Sequence, residues 1–154
     1  MARPTLLRRG PGSVYRALVS LRFTAGRDRR AILDFLRAEY PIPIPLGARL
    51  RLVGRFVHVT NRVRTYHTQA EMLTVADRVL RLAGRPGLTV VEAGVGKGGG
   101  TAKLSLVAAL AGAELVVCDS FRGMPPNAEV HENLWGRRTE FREGAFRGTL
   151  SLVR

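Results

Sequence analysis

Between Leu88 and Asp119 the chain runs through an apolar segment, a glycine cluster, a helix former, a second apolar segment and an acid. Few folds accept that order. Leu88-Thr89-Val90-Val91 is short, apolar and β-branched, and it reads as a buried strand. Glu92-Ala93-Gly94-Val95-Gly96-Lys97-Gly98-Gly99-Gly100 follows, and Thr101 to Leu110 is a strong helix. Glu114 to Cys118 is a second buried strand that stops at Asp119. The pattern predicts one βαβ unit with parallel strands. The fold class is therefore α/β, a Rossmann-like doubly wound parallel sheet, represented here only by its N-terminal part and preceded by helices.

The chemistry follows from the loop. Glycines between strand and helix let a ligand approach the backbone, and the helix N-terminus offers free N–H groups. An acid about 20 residues on, at the tip of the second strand, accepts hydrogen bonds from ribose hydroxyls. Asp119 stands 21 positions after Gly98. A nucleoside-containing ligand is expected at the C-terminal ends of the strands. A phosphate-binding P-loop does not fit, because Gly98 follows Gly96-Lys97 and Val91 occupies the place of the first glycine. A dinucleotide fingerprint does fit Gly94 to Gly99, but Glu92 just before it makes a different pattern, E-x-G-x-G-x-G.

The run VVEAGVGKGGGTAKLSLVAAL, followed by LVVCDSFRGMP, resembles class I S-adenosylmethionine-dependent methyltransferases. It is most similar to the macrocin O-methyltransferase (TylF/MycF-like) group, with Met124 in place of the usual leucine of the D-S-F-x-G-L-P motif. The resemblance covers about residues 55–154. It implies that Glu92, Ala93, Gly94, Val95, Gly96 and Gly98 cradle the methionine part of S-adenosyl-L-methionine. It further implies that Asp119 holds the ribose and that Ser120, Phe121, Arg122 and Gly123 border the adenine. Tyr66, His67 and Thr68 fall where the family closes over cofactor and substrate. The family's catalytic base and its Mg-binding aspartates are expected beyond Arg154, so no catalytic or metal residue is assigned. The implied activity is methyl transfer to a hydroxyl of a sugar or small natural product. The chain is expected to be the cofactor-binding half, with weak or no transfer by itself.

Upstream, residues 1–50 read as an Arg-rich helical leader and Pro-rich linker, and 51–154 as the methyltransferase part. Residues 14–23 and 28–39 are helix candidates, and Pro41, Pro43 and Pro45 hold the chain extended between them and residue 46. Residues 50–59 alternate loosely and suit either strand or helix. Thr68 to Glu71 fits a capping box for a helix over 68–83, with Met72, Val75, Val79 and Leu80 as its core face and Gly84 at its end.

Charge comes last because it says least about the reaction. The chain of 154 residues carries 25 basic and 12 acidic residues, a net +13. Residues 1–64 hold 14 arginines against Asp28, Asp34 and Glu39. Aromatics are only 6% and no nucleic-acid-binding module is visible, so a solvated face is expected rather than a nucleic-acid interface. An Arg-rich polyanion-binding module and an NAD-dependent oxidoreductase fragment remain alternatives. The lone Cys118 excludes a disulfide scaffold, and it is expected to be a buried strand residue. His58, His67 and His131 lack shared metal spacing. Trp135 is expected in the core. Absence of a long apolar run excludes a membrane span, and a cytoplasmic, possibly homo-oligomeric protein is expected.

Overall fold

A computed structural model of the chain describes residues 28–63, 65–126, 129–132, 136 and 138–153. The helix expected over 14–23 and the core position expected for Trp135 lie outside them. Helix α1 spans Arg29–Arg37 and buries Phe35. Its continuation is blocked by the alternating prolines, and the chain stays extended to Pro45. Arg49 holds that arm in place. Its Nε donates to the Ile44 carbonyl at 3.0 Å, and Nη1 donates to the carbonyls of Leu36, at 3.0 Å, and Ala38. Its guanidinium also lies 4.9 Å from the centre of the Tyr40 ring. Tyr40 in turn donates to Asp77 Oδ1 at 3.2 Å, and burial, reinforced by the Asp77 charge, pushes its pKa up to about 12.

Pro45 caps α2, Leu46–Arg62. The ambiguous stretch 50–59 is thus entirely helical. Leu52, Phe56 and Val57 fall on one side at helical spacing and are buried, and that packing overrides the β preference of Val53, Val57 and Val59. Helix α3 is Gln69–Leu80, shorter than expected at its C-terminus. The capping box is complete: the Thr68 hydroxyl accepts from the Glu71 N–H at 3.2 Å, and the Thr68 N–H donates to Glu71 Oε2 at 2.7 Å. Its core face is Met72, Leu73, Ala76 and Leu80. Val75, expected in that face, is 42% exposed, because Leu73 and Ala76 supply the contact with the neighbouring helices.

Strand β1 is Thr89–Ala93, helix α4 is Gly99–Ala111 and strand β2 is Glu114–Cys118. The strands pair in parallel, with Thr89 opposite Glu114 and Ala93 opposite Cys118. Two further strands, β3 (His131–Glu132) and β4 (Arg138–Thr139), form a short antiparallel pair, and α5 is Leu150–Val153. The chain is a mixed α/β protein in which the described parallel sheet has two strands. Among the described residues, no helix is long and apolar enough to cross a membrane.

The core joins α1 to α4 through Phe35, Phe56, Leu73, Leu80 and Val107, with Leu88 and Leu115 packed against it from the sheet. One sheet face therefore meets helices. The other does not: Val91 is 64% exposed, and Val116 and Cys118 are exposed beside it. The expectation of strands buried on both faces is corrected accordingly, and so is the burial of Cys118. Parallel strands bury both faces only when a second layer covers them, and no second layer stands over this one among the described residues.

Lys103 is the anomaly of the helical core. It is fully buried in α4, 5.7 Å from the centre of the Phe56 ring. Its Nζ reaches Gln69 Oε1 at 3.5 Å, and Gln69 Nε2 donates to Thr60 Oγ1 at 2.8 Å. Burial pulls the ammonium down to about 8, against the opposing pull of Asp28. Between that value and the ordinary 10.5 the unfolded chain holds a proton that the folded chain has lost. Stability should therefore rise from about pH 8 to pH 10.5. Lys103→Met is expected to stabilise the protein at pH 7 by about 1–4 kcal/mol and to flatten that alkaline rise. Denaturant melts of both proteins at pH 7 and pH 10 check it; an unchanged alkaline rise in the variant would assign it to another group.

Candidate functional site

The βαβ unit brings the loop after β1, the N-terminus of α4 and the end of β2 to one place. Gly98 caps α4 with a left-handed backbone, φ 83°. Its N–H donates to the Val95 carbonyl at 3.0 Å, which closes the loop as a tight turn. The open ends of the strands and this turn form one wall of a cavity of about 530 Å³. That is within the usual range for small-molecule sites.

Asp119 organises the wall. Its Oδ2 accepts from the backbone N–H of Val95 at 2.5 Å and of Gly96 at 3.1 Å. Oδ1 accepts from the N–H of Phe121 at 2.6 Å. The Phe121 bond, helped by those from Val95 and Gly96, holds the carboxyl below its ordinary range. A carboxylate has about four acceptor sites, so one on Oδ1 is left for a ligand.

Glu92 behaves in the opposite way. It is half-buried, and its Oε1 lies against the first turn of α4, where a Cβ on Gly100 would stand 2.7 Å from it. A larger residue at position 100 would push the Glu92 carboxylate away from the helix. Burial pushes the Glu92 carboxyl above its ordinary range, neighbouring Thr101 and His67 pull it partly back, and Asp119 adds to the rise. Among the described residues no hydrogen bond of good geometry reaches the buried Glu92 Oε2 and Thr101 Oγ1, although Thr101 stands close enough to pull the carboxyl down. A buried polar atom without a partner in a native site calls for a bound group or water.

The opposite wall is aromatic. Tyr66 and Phe146 meet edge to face with ring centres 4.9 Å apart, and Phe141 continues the row 5.2 Å from Phe146. Phe146 carries φ 63° and Phe121 carries φ 55°, both in the left-handed region. Such backbone costs on the order of 1–3 kcal/mol and persists only where surrounding contacts hold it. Backbone hydrogen bonds and a close glycine contact hold it here. The Met124 N–H donates to the Ala145 carbonyl and the Gly144 N–H to the Met124 carbonyl, each at 2.9 Å. Gly148 is buried on the glycine loop so closely that a Cβ would stand 1.6 Å from the Gly96 carbonyl oxygen. Residues 142–149 thus form a strap across the loop and across Gly123-Met124.

Of the residues singled out from sequence, Glu92, Gly94, Val95, Gly96, Asp119, Ser120, Gly123, Tyr66 and His67 line the cavity. Ala93, Gly98, Phe121, Arg122 and Thr68 do not. Ala93 ends β1, Gly98 and Thr68 act as helix caps, and Phe121 acts through its backbone N–H on Asp119. The Arg122 N–H donates to Ser120 Oγ at 3.3 Å, and its exposed side chain is not part of the lining. Sequence reasoning left Thr65, Gly99, Gly100, Cys118, Met124 and Phe146 unassigned and favoured a solvent-facing Lys97, yet all seven line the cavity. Position beside an assigned residue signals most of them; Phe146, more than 20 residues after Asp119, falls in a run, Phe146-Arg147-Gly148-Thr149-Leu150, that shares the family resemblance but carries no assigned role. No group of three His, Cys, Asp or Glu side chains suited to a metal ion occurs among the described residues. Comparison with protein-family models, with curated proteins and with solved structures returns no match.

Because Gly148 touches loop backbone rather than a flexible side chain, Gly148→Ala should lift the strap. The expected cost is about 1–3 kcal/mol, with faster protease cleavage within 142–149. Unchanged stability and cleavage would show that the strap does not depend on that contact.

Proposed function

We propose that this chain binds S-adenosyl-L-methionine as the cofactor-binding part of a class I O-methyltransferase with a Rossmann-like sheet. The single observation that carries the reading is the pair of carboxylates facing one cavity, Asp119 tied to the glycine loop and half-buried Glu92 with no partner for its buried Oε2 among the described residues. The cofactor bears a ribose, a sulfonium and an amino-acid end whose ammonium group, beside its carboxylate, is the part that can face Glu92. Asp119 Oδ1 keeps one acceptor site for a ribose hydroxyl. Glu92 offers a desolvated negative charge to the cationic end, and Tyr66 and Phe146 add ring faces and edges that suit a cation or a planar base. When bound, such a cofactor supplies an electrophilic methyl group to an aligned acceptor oxygen. The resemblance of residues 119–125 to the macrocin group extends the reading to a hydroxyl of a sugar or small natural product.

The dinucleotide alternative is weaker on physical grounds. It needs a pyrophosphate at the N-terminus of α4. Glu92 Oε1 already lies against that turn at Gly100, and a second anion there meets like-charge repulsion.

Calorimetry should detect S-adenosylhomocysteine and S-adenosylmethionine but not NAD. Asp119→Ala should abolish that binding. Glu92→Gln separates function from stability. Its raised carboxyl means that ionisation opposes folding, so the free variant should melt slightly higher at pH 7. Its affinity for S-adenosylmethionine should fall about 10- to 100-fold. A variant that melts higher yet binds the cofactor unchanged would remove Glu92 from the site, and binding of NAD alone would remove the whole reading.

A further inference from the structure

Helix α2 carries four arginines and no acid in its 17 residues. Arg49 is consumed inside the protein by the carbonyls of the proline arm. Arg51, Arg55 and Arg62 are exposed, and with exposed His58 they fall within about 60° of one another around the helix at 3.6 residues per turn. They form one straight row, about 16 Å long at 1.5 Å per residue. Arg51, Gly54, Arg55 and His58 border a shallow surface groove. Arg62 donates to His58 Nδ1 at 2.8 Å. No ion pair with a carboxylate involves the three arginines among the described residues. Gly54 borders the same groove, and a Cβ there would meet nothing within 4 Å, so a partner's backbone can come close.

We propose that this row is a binding surface for the phosphodiester backbone of a nucleic acid. Sequence composition alone argues for a solvated face; the alignment of the guanidinium groups on a rigid helix argues against it. Arg51 and Arg55 stand about 6 Å apart along the axis and Arg62 about 10 Å further on, and their planar forks face a polyanion from one side of the helix, the geometry in which arginine excels at phosphate binding. An anionic membrane fits less well. The bulky apolar face of α2 (Leu52, Phe56 and Val57) is spent in the core, which leaves little to insert between lipids. The absence of aromatics along the row favours backbone contacts over base stacking. The proposal is independent of what the cavity binds.

The test uses the full chain, fluorescently labelled 20-mer duplex DNA and single-stranded RNA, and a series of salt concentrations. Arg51, Arg55 and Arg62 changed together to Gln should weaken binding tenfold or more and reduce the slope of log K against log salt by roughly 3. A control with Arg29, Arg78 and Arg85 changed to Gln removes the same charge from exposed sites off the row. It should stay within about twofold, with its slope unchanged. The three row residues changed to Lys keep the charge and the fold, and should keep the slope while losing part of the affinity. The duplex and RNA arms decide which nucleic acid is preferred. Equal losses in row and control variants would mean diffuse attraction and would overturn the proposal. So would no binding to either nucleic acid, or row-dependent capture by anionic phospholipid vesicles alone.

Discussion

The carboxylate of Asp119 is the constraint on which the rest of the site depends. It reaches from the end of β2 across to the loop after β1 and accepts two of that loop's N–H groups. A third bond, from Phe121, fixes the chain just after β2. Without this carboxylate the loop's N–H groups would turn to the cavity with no fixed protein partner. With it, a flexible glycine run becomes a defined surface. The same residue that a ligand would use is thus also the residue that shapes the pocket.

One local geometry shifts the two carboxylates of the cavity in opposite directions. Asp119 is surrounded by N–H donors, so its charge is favoured. Glu92 is packed against the helix N-terminus with one buried oxygen unsatisfied, so its charge is costly until a partner arrives. A scaffold built only for stability would not keep that cost. Nor would it keep two phenylalanines, Phe121 and Phe146, at positive φ beside the same cavity. Strain and unsatisfied polarity gathered at one place are the usual marks of a binding site.

Much of the scaffold was legible in sequence because it is local. The capping box at Thr68 and Glu71 needs only adjacent residues, and it forms as expected. The limits of β2 also match, because Gly112 and Asp119 punctuate a continuous apolar run. The 50–59 stretch was not legible. Loose alternation of Leu52, Val53, Phe56 and Val57 suits either element, and only packing of Leu52, Phe56 and Val57 against the other helices chooses the helix. Burial was misjudged where it depends on a second layer: Val91, Val116 and Cys118 have strand character, yet their outward face is open.

By itself, the sequence determined the βαβ order, the glycine loop, the acid at its far end and the helix caps. All of these are settled within some thirty residues by backbone preference and hydrogen bonding close in the chain. Tertiary structure decided the rest. It folded the strap of residues 142–149 over the loop, brought Phe146 to Tyr66 and drew Lys103 into the helical core. It also spent Arg49 on the proline arm while leaving Arg51, Arg55 and Arg62 in an exposed row. The physical reason is the same in each case. Arginines that look equivalent in sequence become different when one finds backbone carbonyls to satisfy and its neighbours, on another side of the helix, stay exposed.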